Sequence, residues 1–416
     1  MRTRSDWRAI PLTRRRFGVL AAGGLASVAC SSGQRAEAAG SDTLGPDLRY
    51  AAGDTTTSAV LVGVPRGSGA EAVESAVRRA ALGATDFGWL SRGDTVLIKP
   101  VCNSGNDYPA TTDPVALRAM IRLLLERGAG RVVVADMSGV QFLRFSQDHL
   151  SGSTRALMKS NGLLPSIEAA GGEVQAFEEA GWDGFFGERP RVSASWKDPI
   201  QLPNVVASAD HIVLMPRCAR HLLAGSTLGL KAAVGWWRHD SRLEYHRDAG
   251  NFSQKTAEAN TVPSLLEKQR LVLTSATKVL ATFGPDTGHV VEPETGLVVA
   301  SASVLAHDMV SLAWLIETRA GVPAAQKDGI TKDPNQSQTV VNVANRMVNY
   351  WLGGVRAAFG TQSLPRYDIG QVWDDQVLRH AAAAFGGVPR VELADPERSV
   401  PSALRQRLAA QLALPA

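Results

Sequence analysis

The sequence predicts an α/β fold: a mostly parallel, Rossmann-like layered sheet with helices on both faces and a mainly helical C-terminal region. Three observations lead there. Short β-branched runs alternate with helical stretches from Ser58 onward, the pattern of βαβ units. A chain of 416 residues is long enough to bury a sizeable core in one large domain or two modest ones. A hydrophobic fraction of 44% and a charged fraction of 20% are those of an ordinary globular protein.

The elements follow in order. Residues 1–38 read as a leader and residues 39–57 as a flexible tether, followed by an α/β domain over 58–320 and a mainly helical extension over 321–416. Ala59–Val64 reads as a strand, Ala70–Leu82 as a helix and Asp94–Lys99 as the next strand. Pro114–Arg127 is a helix, with Thr112 or Asp113 as N-cap, proline in the first turn and Gly128 at its end. Arg131–Ala135 is a strand, residues 147–196 a helical and less regular insertion, and His211–Met215 another strand. Ser226 is a natural N-cap for a helix through Val234, and a second helix over Trp236–His246 would set His239, Arg242 and His246 on one stripe. Beyond these, Pro263–Glu267 is helical, Leu271–Thr274 and Leu297–Ala300 are strands, and Asp308–Glu317 is a helix.

The leader is arginine-rich, and Arg14, Arg15 and Phe17 precede a weakly apolar run, Gly18–Ala29, that is too short for a membrane span of about 20 residues. Arg14 and Arg15 resemble the twin-arginine signature, which implies export of the folded chain by the twin-arginine machinery to a periplasmic, extracellular or envelope location. Two processing sites compete. Ala36, Glu37 and Ala38 suit ordinary signal peptidase, whereas Ser27–Cys30 resembles a lipobox that would lipidate Cys30 and anchor the protein to a membrane.

Net charge is +4, part of it from the leader's arginines, and no basic and aromatic stripe suggests nucleic acid. Of three cysteines, Cys30 lies in the leader, so an iron–sulfur cluster held by four thiolates is excluded by count. Cys102 and Cys218 could pair as a disulfide or remain two buried thiols.

In doubly wound sheets ligands sit beyond the carboxyl ends of the strands. Here Lys99 closes one strand and is followed by Asn103, Asp136 closes another, and Arg217, Cys218, Arg220 and His221 follow a third. Thr227 and Lys231 would share a helix face, next to the stripe of His239, Arg242 and His246, with Trp236 and Trp237 as apolar walls. Such a cluster suits a small anion, with Lys99, Lys231 and Arg242 on its oxygens and His221 or His246 moving a proton. A solvated helix face neutralised by Asp240, Glu244 and Asp248 is the bland alternative. A second reading makes His221, His239 and His246 ligands of a divalent metal, in a redox or accessory protein, though their spacing matches no tight zinc motif. A third makes the chain a lipid-anchored envelope ligand-binding protein.

From about Ala59 to Leu315 the chain resembles the family catalogued as domain of unknown function 362. The resemblance rests on Lys99-Pro100 with Asn103, on Thr112 and Pro114, and on Met215-Pro216 through His221, Thr227, Lys231 and Gly235. It continues in Arg242, His246, Gly284-Pro285, Ala306 and Asp308. It implies a ligand-binding set of Lys99, Asn103, Thr112, Thr227, Arg242 and Asp308 around His221, Lys231 and His246. Ala232, Ser303 and Ser275 depart from the family pattern of one amide and two carboxylates, which weakens a hard-cation site.

Overall fold

The computed structural model describes residues 52–366 and 369–414. Arg14, Arg15, Cys30 and both processing sites lie outside the described residues. Eight strands form the main sheet: β1 (Ala52–Pro65), β2 (Thr95–Lys99), β3 (Arg131–Asp136), β4 (Glu173–Ala176), β5 (His211–Leu214), β6 (Gln269–Ala276), β7 (Thr295–Ser301) and β8 (Val388–Ala394). Their order is β8-β1-β7-β6-β5-β2-β3-β4. All neighbours are parallel except β7, which runs against both β1 and β6.

The alternation of the strands splits the core between the two faces. Ile98, Val134 and Val213 point to the side covered by helices α1 (Ala70–Ala84) and α2 (Pro114–Glu126). Leu97, Val133 and Ile212 point to the opposite side, where Trp236, Trp237 and Tyr245 pack. Asp113 caps α2 by accepting the Val115 amide, and Pro114 fills a position whose N–H would be an orphan.

Four expectations need correction. The tether to residue 57 is too long, because β1 begins at Ala52 and pairs with β8 from there. The insertion over 147–196 contains β4, whose pattern of mixed burial hides an edge strand from periodicity. Ser226 is not an N-cap: Gly225–Thr227 is a short strand paired with Ala219–His221, so Thr227 does not share a helix face with Lys231. The helix that carries Lys231, α3, covers only Gly229–Ala232. Of the two states open to Cys102 and Cys218, the structure has separate buried thiols, which is no correction.

The C-terminal region is mainly helical but also supplies β8 to the sheet beside β1. The chain after β8 closes over β1 at Gly63, whose amide donates to Ser399 Oγ at 2.8 Å. A Cβ at Gly63 would collide with the Ser399 carbonyl and with Thr295. Gly63→Ala is therefore expected to lift the C-terminal segment, lower Tm by several degrees and speed proteolysis beyond Ala394. Thermal unfolding and limited digestion of the variant check this.

Candidate functional site

The carboxyl ends of β2 and β3 meet in a buried ion pair, Lys99 Nζ to Asp136 Oδ1 at 2.9 Å, with both side chains almost wholly inaccessible. Asp136 Oδ2 also accepts the Cys102 amide at 2.7 Å, and Lys99 donates to the Pro100 carbonyl at 2.8 Å. Burial nevertheless lowers the Lys99 pKa, partly offset by Asp136. The pair is roofed by Gly235, where any Cβ would run into Lys99 Nζ and Asp136. Glycine there is a requirement of close approach rather than of backbone angle.

Arg242 lies on α4 (His239–Arg247), which packs on α5 (Phe252–Ala259), and is buried. Its guanidinium donates to the carbonyls of Trp237, Ser138 and Met137 at 2.9, 2.7 and 2.8 Å, and to that of Gly235 at 3.3 Å. Arg242 is thus a clamp between the β3 loop and the Gly235 turn, with its donors committed to backbone. Burial lowers its pKa to about 10.

Asp308 is similarly committed. It sits on α6 (Val304–Ala320), accepts the amides of Gly229 and Leu230 at 2.8 and 2.7 Å, and receives His307 Nδ1 at 2.8 Å. It caps α3 and so fixes where Lys231 points. Thr112 Oγ1 donates to the Met215 carbonyl at 2.6 Å and accepts the Val101 amide at 2.8 Å, joining the ends of β2 and β5. Asn103 is half-buried and offers its backbone carbonyl to Gly139 at 3.0 Å. Thr227 is buried in its short strand opposite Ala219.

Lys231, by contrast, is partly exposed and has no carboxylate partner among the described residues. Its ammonium faces the rings of Tyr245 and Phe252 at 5.5 and 5.6 Å. Burial of the head group, then Arg242, Arg217 and Lys99, lower its pKa to about 7. Arg217 is the buried cation missing from the sequence-derived ligand set. Its Nη1 donates to the Ala110 carbonyl, while Nε and Nη2 are buried with no protein acceptor. The nearest carboxylate, Asp286, stands 3.9 Å away. The sequence signal was its position directly after Pro216, three residues past the end of β5.

Two of the three histidines border this cation cluster in opposite tautomers. His221 Nδ1 accepts the amides of Leu223 and Ala224 at 3.0 and 3.2 Å, so a neutral ring carries its proton on Nε2. His246 Nδ1 lies 2.9 Å from Asn345 Oδ1, and the Asn345 amide donates to the His246 carbonyl, which fixes the flip. His246 Nδ1 must therefore be the donor, leaving the lone pair on Nε2. Burial and then Lys231 hold His221 well below its ordinary pKa and lower His246 to about 3. His239 stands apart from this pair: its Nδ1 accepts the Phe145 amide at 3.2 Å and its Nε2 is buried without a partner. Among the described residues no three His, Cys, Asp or Glu side chains form a group that could hold a metal ion, so His221, His239 and His246 are not assembled as ligands.

A family described as a domain of unknown function (DUF362) matches residues 96–313, just over half of the chain. A thylakoid-associated protein of Synechocystis is 25% identical over 227 residues, which are 53% of this chain and 63% of that protein. The chain thus matches less than two thirds of that relative's length. Among solved structures, the lactate racemase apoprotein of Thermoanaerobacterium thermosaccharolyticum is 15% identical, with 62% of this chain and 55% of that one covered at a TM-score of 0.35. A protein from Thermotoga maritima is 12% identical, with 51% of each chain covered at a TM-score of 0.30.

The two lysines are expected to behave oppositely. Lys99→Met leaves Asp136 buried without its counter-charge and should cost about 3–5 kcal/mol. Lys231→Met removes an unpaired, partly desolvated cation and should leave stability unchanged or raised. Urea unfolding of both variants at pH 7 separates the roles, and equal losses would refute the assignment.

Proposed function

The chain belongs to the DUF362 family, and on that premise we propose that it is an enzyme acting on a small anionic molecule bound among Arg217, Lys231 and His221. One observation supports this above the others: Arg217 keeps two nitrogens, Nε and Nη2, buried without a protein acceptor, near Lys231, which has no carboxylate partner among the described residues. Leaving such donors unsatisfied is costly, and a carboxylate or phosphate would satisfy both at once. In this reading Lys99 and Arg242 are positioning residues, Asp308 orients α3, and Arg217 with Lys231 hold the ligand.

The histidine pair supplies the chemistry. His246 Nε2, an acceptor, would take a proton from the bound molecule, and His221 Nε2–H would give one. Both rings are neutral at pH 7, because burial and the neighbouring cations oppose imidazolium. Lys231 next to the anion favours charge that develops on its oxygens during proton removal. We further propose that the folded chain is exported through its Arg14-Arg15 leader, with the mature end set either by peptidase cleavage after Ala38 or by lipidation of Cys30.

Inorganic phosphate, acetate and oxalate, titrated calorimetrically, test the binding. The wild type should bind at least one of them and Arg217→Met should weaken that binding tenfold or more; no binding, or an unchanged variant, would sink the reading. Proton transfer is read by deuterium entering C–H bonds next to a carboxylate in D2O, a signal that His246→Gln should abolish.

A pH dependence follows from Lys231. Its pKa of about 7 in the fold, against 10.5 ordinarily, means that between these values the unfolded chain holds a proton that the folded one lacks. Its contribution to stability therefore rises with pH across that window. A bound anion favours the ammonium, so binding at pH 8 should take up a proton. Calorimetry in buffers of different ionisation enthalpy measures this uptake, which Lys231→Met should remove.

A further inference from the structure

Helix α7 (Gln338–Phe359) packs Val341, Ala344 and Val348 on the core but turns polar side chains inward beside them. Its inward stripe holds two fully buried amides, Asn345 and Asn349, both of which donate to the His246 carbonyl, at 2.9 and 3.0 Å. Its outward face holds large apolar side chains instead. Val343, Met347 and Tyr350 are 43%, 45% and 49% exposed, and beyond a break at Gly353 and Gly354 come Val355 at 60% and Phe359 at 87%. Scattered apolar residues are ordinary on a surface, but Val343, Met347 and Tyr350, at i, i+4 and i+7, share one face, and two more follow beyond the break.

The charges of the segment that carries that patch have one sign. Between Pro334 and Arg366 there is no Asp or Glu, whereas Arg346 and Arg356 are exposed on the helix itself and Arg366 follows it. A row of apolar and aromatic side chains flanked by arginine is the composition of a helix that lies in a lipid interface. A second copy of the chain is a poorer fit, because a two-fold contact through this face would bring the arginines of both copies together. Among the described residues no helix is long and apolar enough to cross a membrane, so the contact would be a surface one.

We infer that the outer face of α7 docks on an anionic lipid surface, with Tyr350, Val355 and Phe359 entering the headgroup boundary and Arg346 and Arg356 meeting the lipid phosphates. From Val343 to Tyr350 the face spans about 10 Å along the helix at 1.5 Å per residue, about two turns. It is independent of any anchoring through Cys30.

The test uses the full chain on a Cys30→Ser background, with an environment-sensitive fluorophore on Phe359→Cys and, as a control, on the exposed Ser91→Cys; the two remaining cysteines are buried. With vesicles of equal phosphatidylglycerol and phosphatidylcholine, the probe at 359 should shift to the blue and become shielded from aqueous quencher, and the probe at 91 should not. Phosphatidylcholine alone, or 0.5 M salt, should weaken the response several-fold. Co-sedimentation of the unlabelled Cys30→Ser chain should fall tenfold or more for Tyr350→Ser with Val355→Ser, and less for Arg346→Gln with Arg356→Gln. An unshifted probe at 359 overturns the proposal. So does a dimer in light scattering that the serine substitutions dissociate without any vesicle binding, which would assign the face to self-association.

Discussion

The ion pair between Lys99 and Asp136 is the constraint on which the site depends. Two charges at the ends of adjacent parallel strands are removed from water, which is tolerable only because their remaining bonding capacity is used. Asp136 takes the Cys102 and Met137 amides, and Lys99 gives to the Pro100 carbonyl. The loops after β2 and β3 are thereby held to one another at the strand ends. Gly235 can then pass directly over the pair, and Arg242 ties that passage to the Met137 and Ser138 carbonyls. Sheet, loops and the α3–α4 region are locked by one electrostatic knot, which fixes the backbone before any ligand-facing side chain is considered.

Beyond the knot the charges do not balance. Lys99 is matched by Asp136, and Arg242 by carbonyl dipoles, but Arg217 has only a carboxylate at 3.9 Å and Lys231 has aromatic rings. Burial raises the Asp286 pKa, which lessens even that compensation near its titration range. The fold tolerates this excess by keeping both bordering histidines neutral and by lowering the Lys231 pKa. Protonation is thus the adjustable quantity at this place, as expected where binding of an anion is coupled to movement of a proton.

How much of this could be read from the residues varies with the kind of signal. β2, β3, β5, α1 and α2 were legible because hydrophobic period and cap chemistry agree, as in Asp113-Pro114. The direction of β7 was not, since a run such as Leu297–Ala300 looks alike whichever way its neighbours run. β4 and β8 are partly exposed edge strands and lack a clear apolar alternation. At the site, residue types near strand ends located the cluster, but their roles were only partly separable. Lys99, Lys231 and Arg242 are all basic in sequence; partners alone divide them into a paired charge, a free one and a clamp. Asp308 showed only as an acid before a helix, although it caps a different helix 79 positions away. Its role depends on tertiary contact that local pattern does not encode.

The same distinction explains α7. Its inward side carries Asn345 and Asn349 beside the buried Val341. The reason lies in what they meet. The His246 backbone carbonyl is buried, and a buried carbonyl needs donors that an apolar residue does not provide. Two asparagine amides supply them, and Asn345 Oδ1 further fixes the proton of His246 on Nδ1. Asn345 and Asn349 thus orient a histidine, while Val343, Met347 and Tyr350 face outward. Its position then bears on the site directly: a shift of α7 that lengthened the Asn345 contact would release the His246 tautomer and with it the lone pair on Nε2.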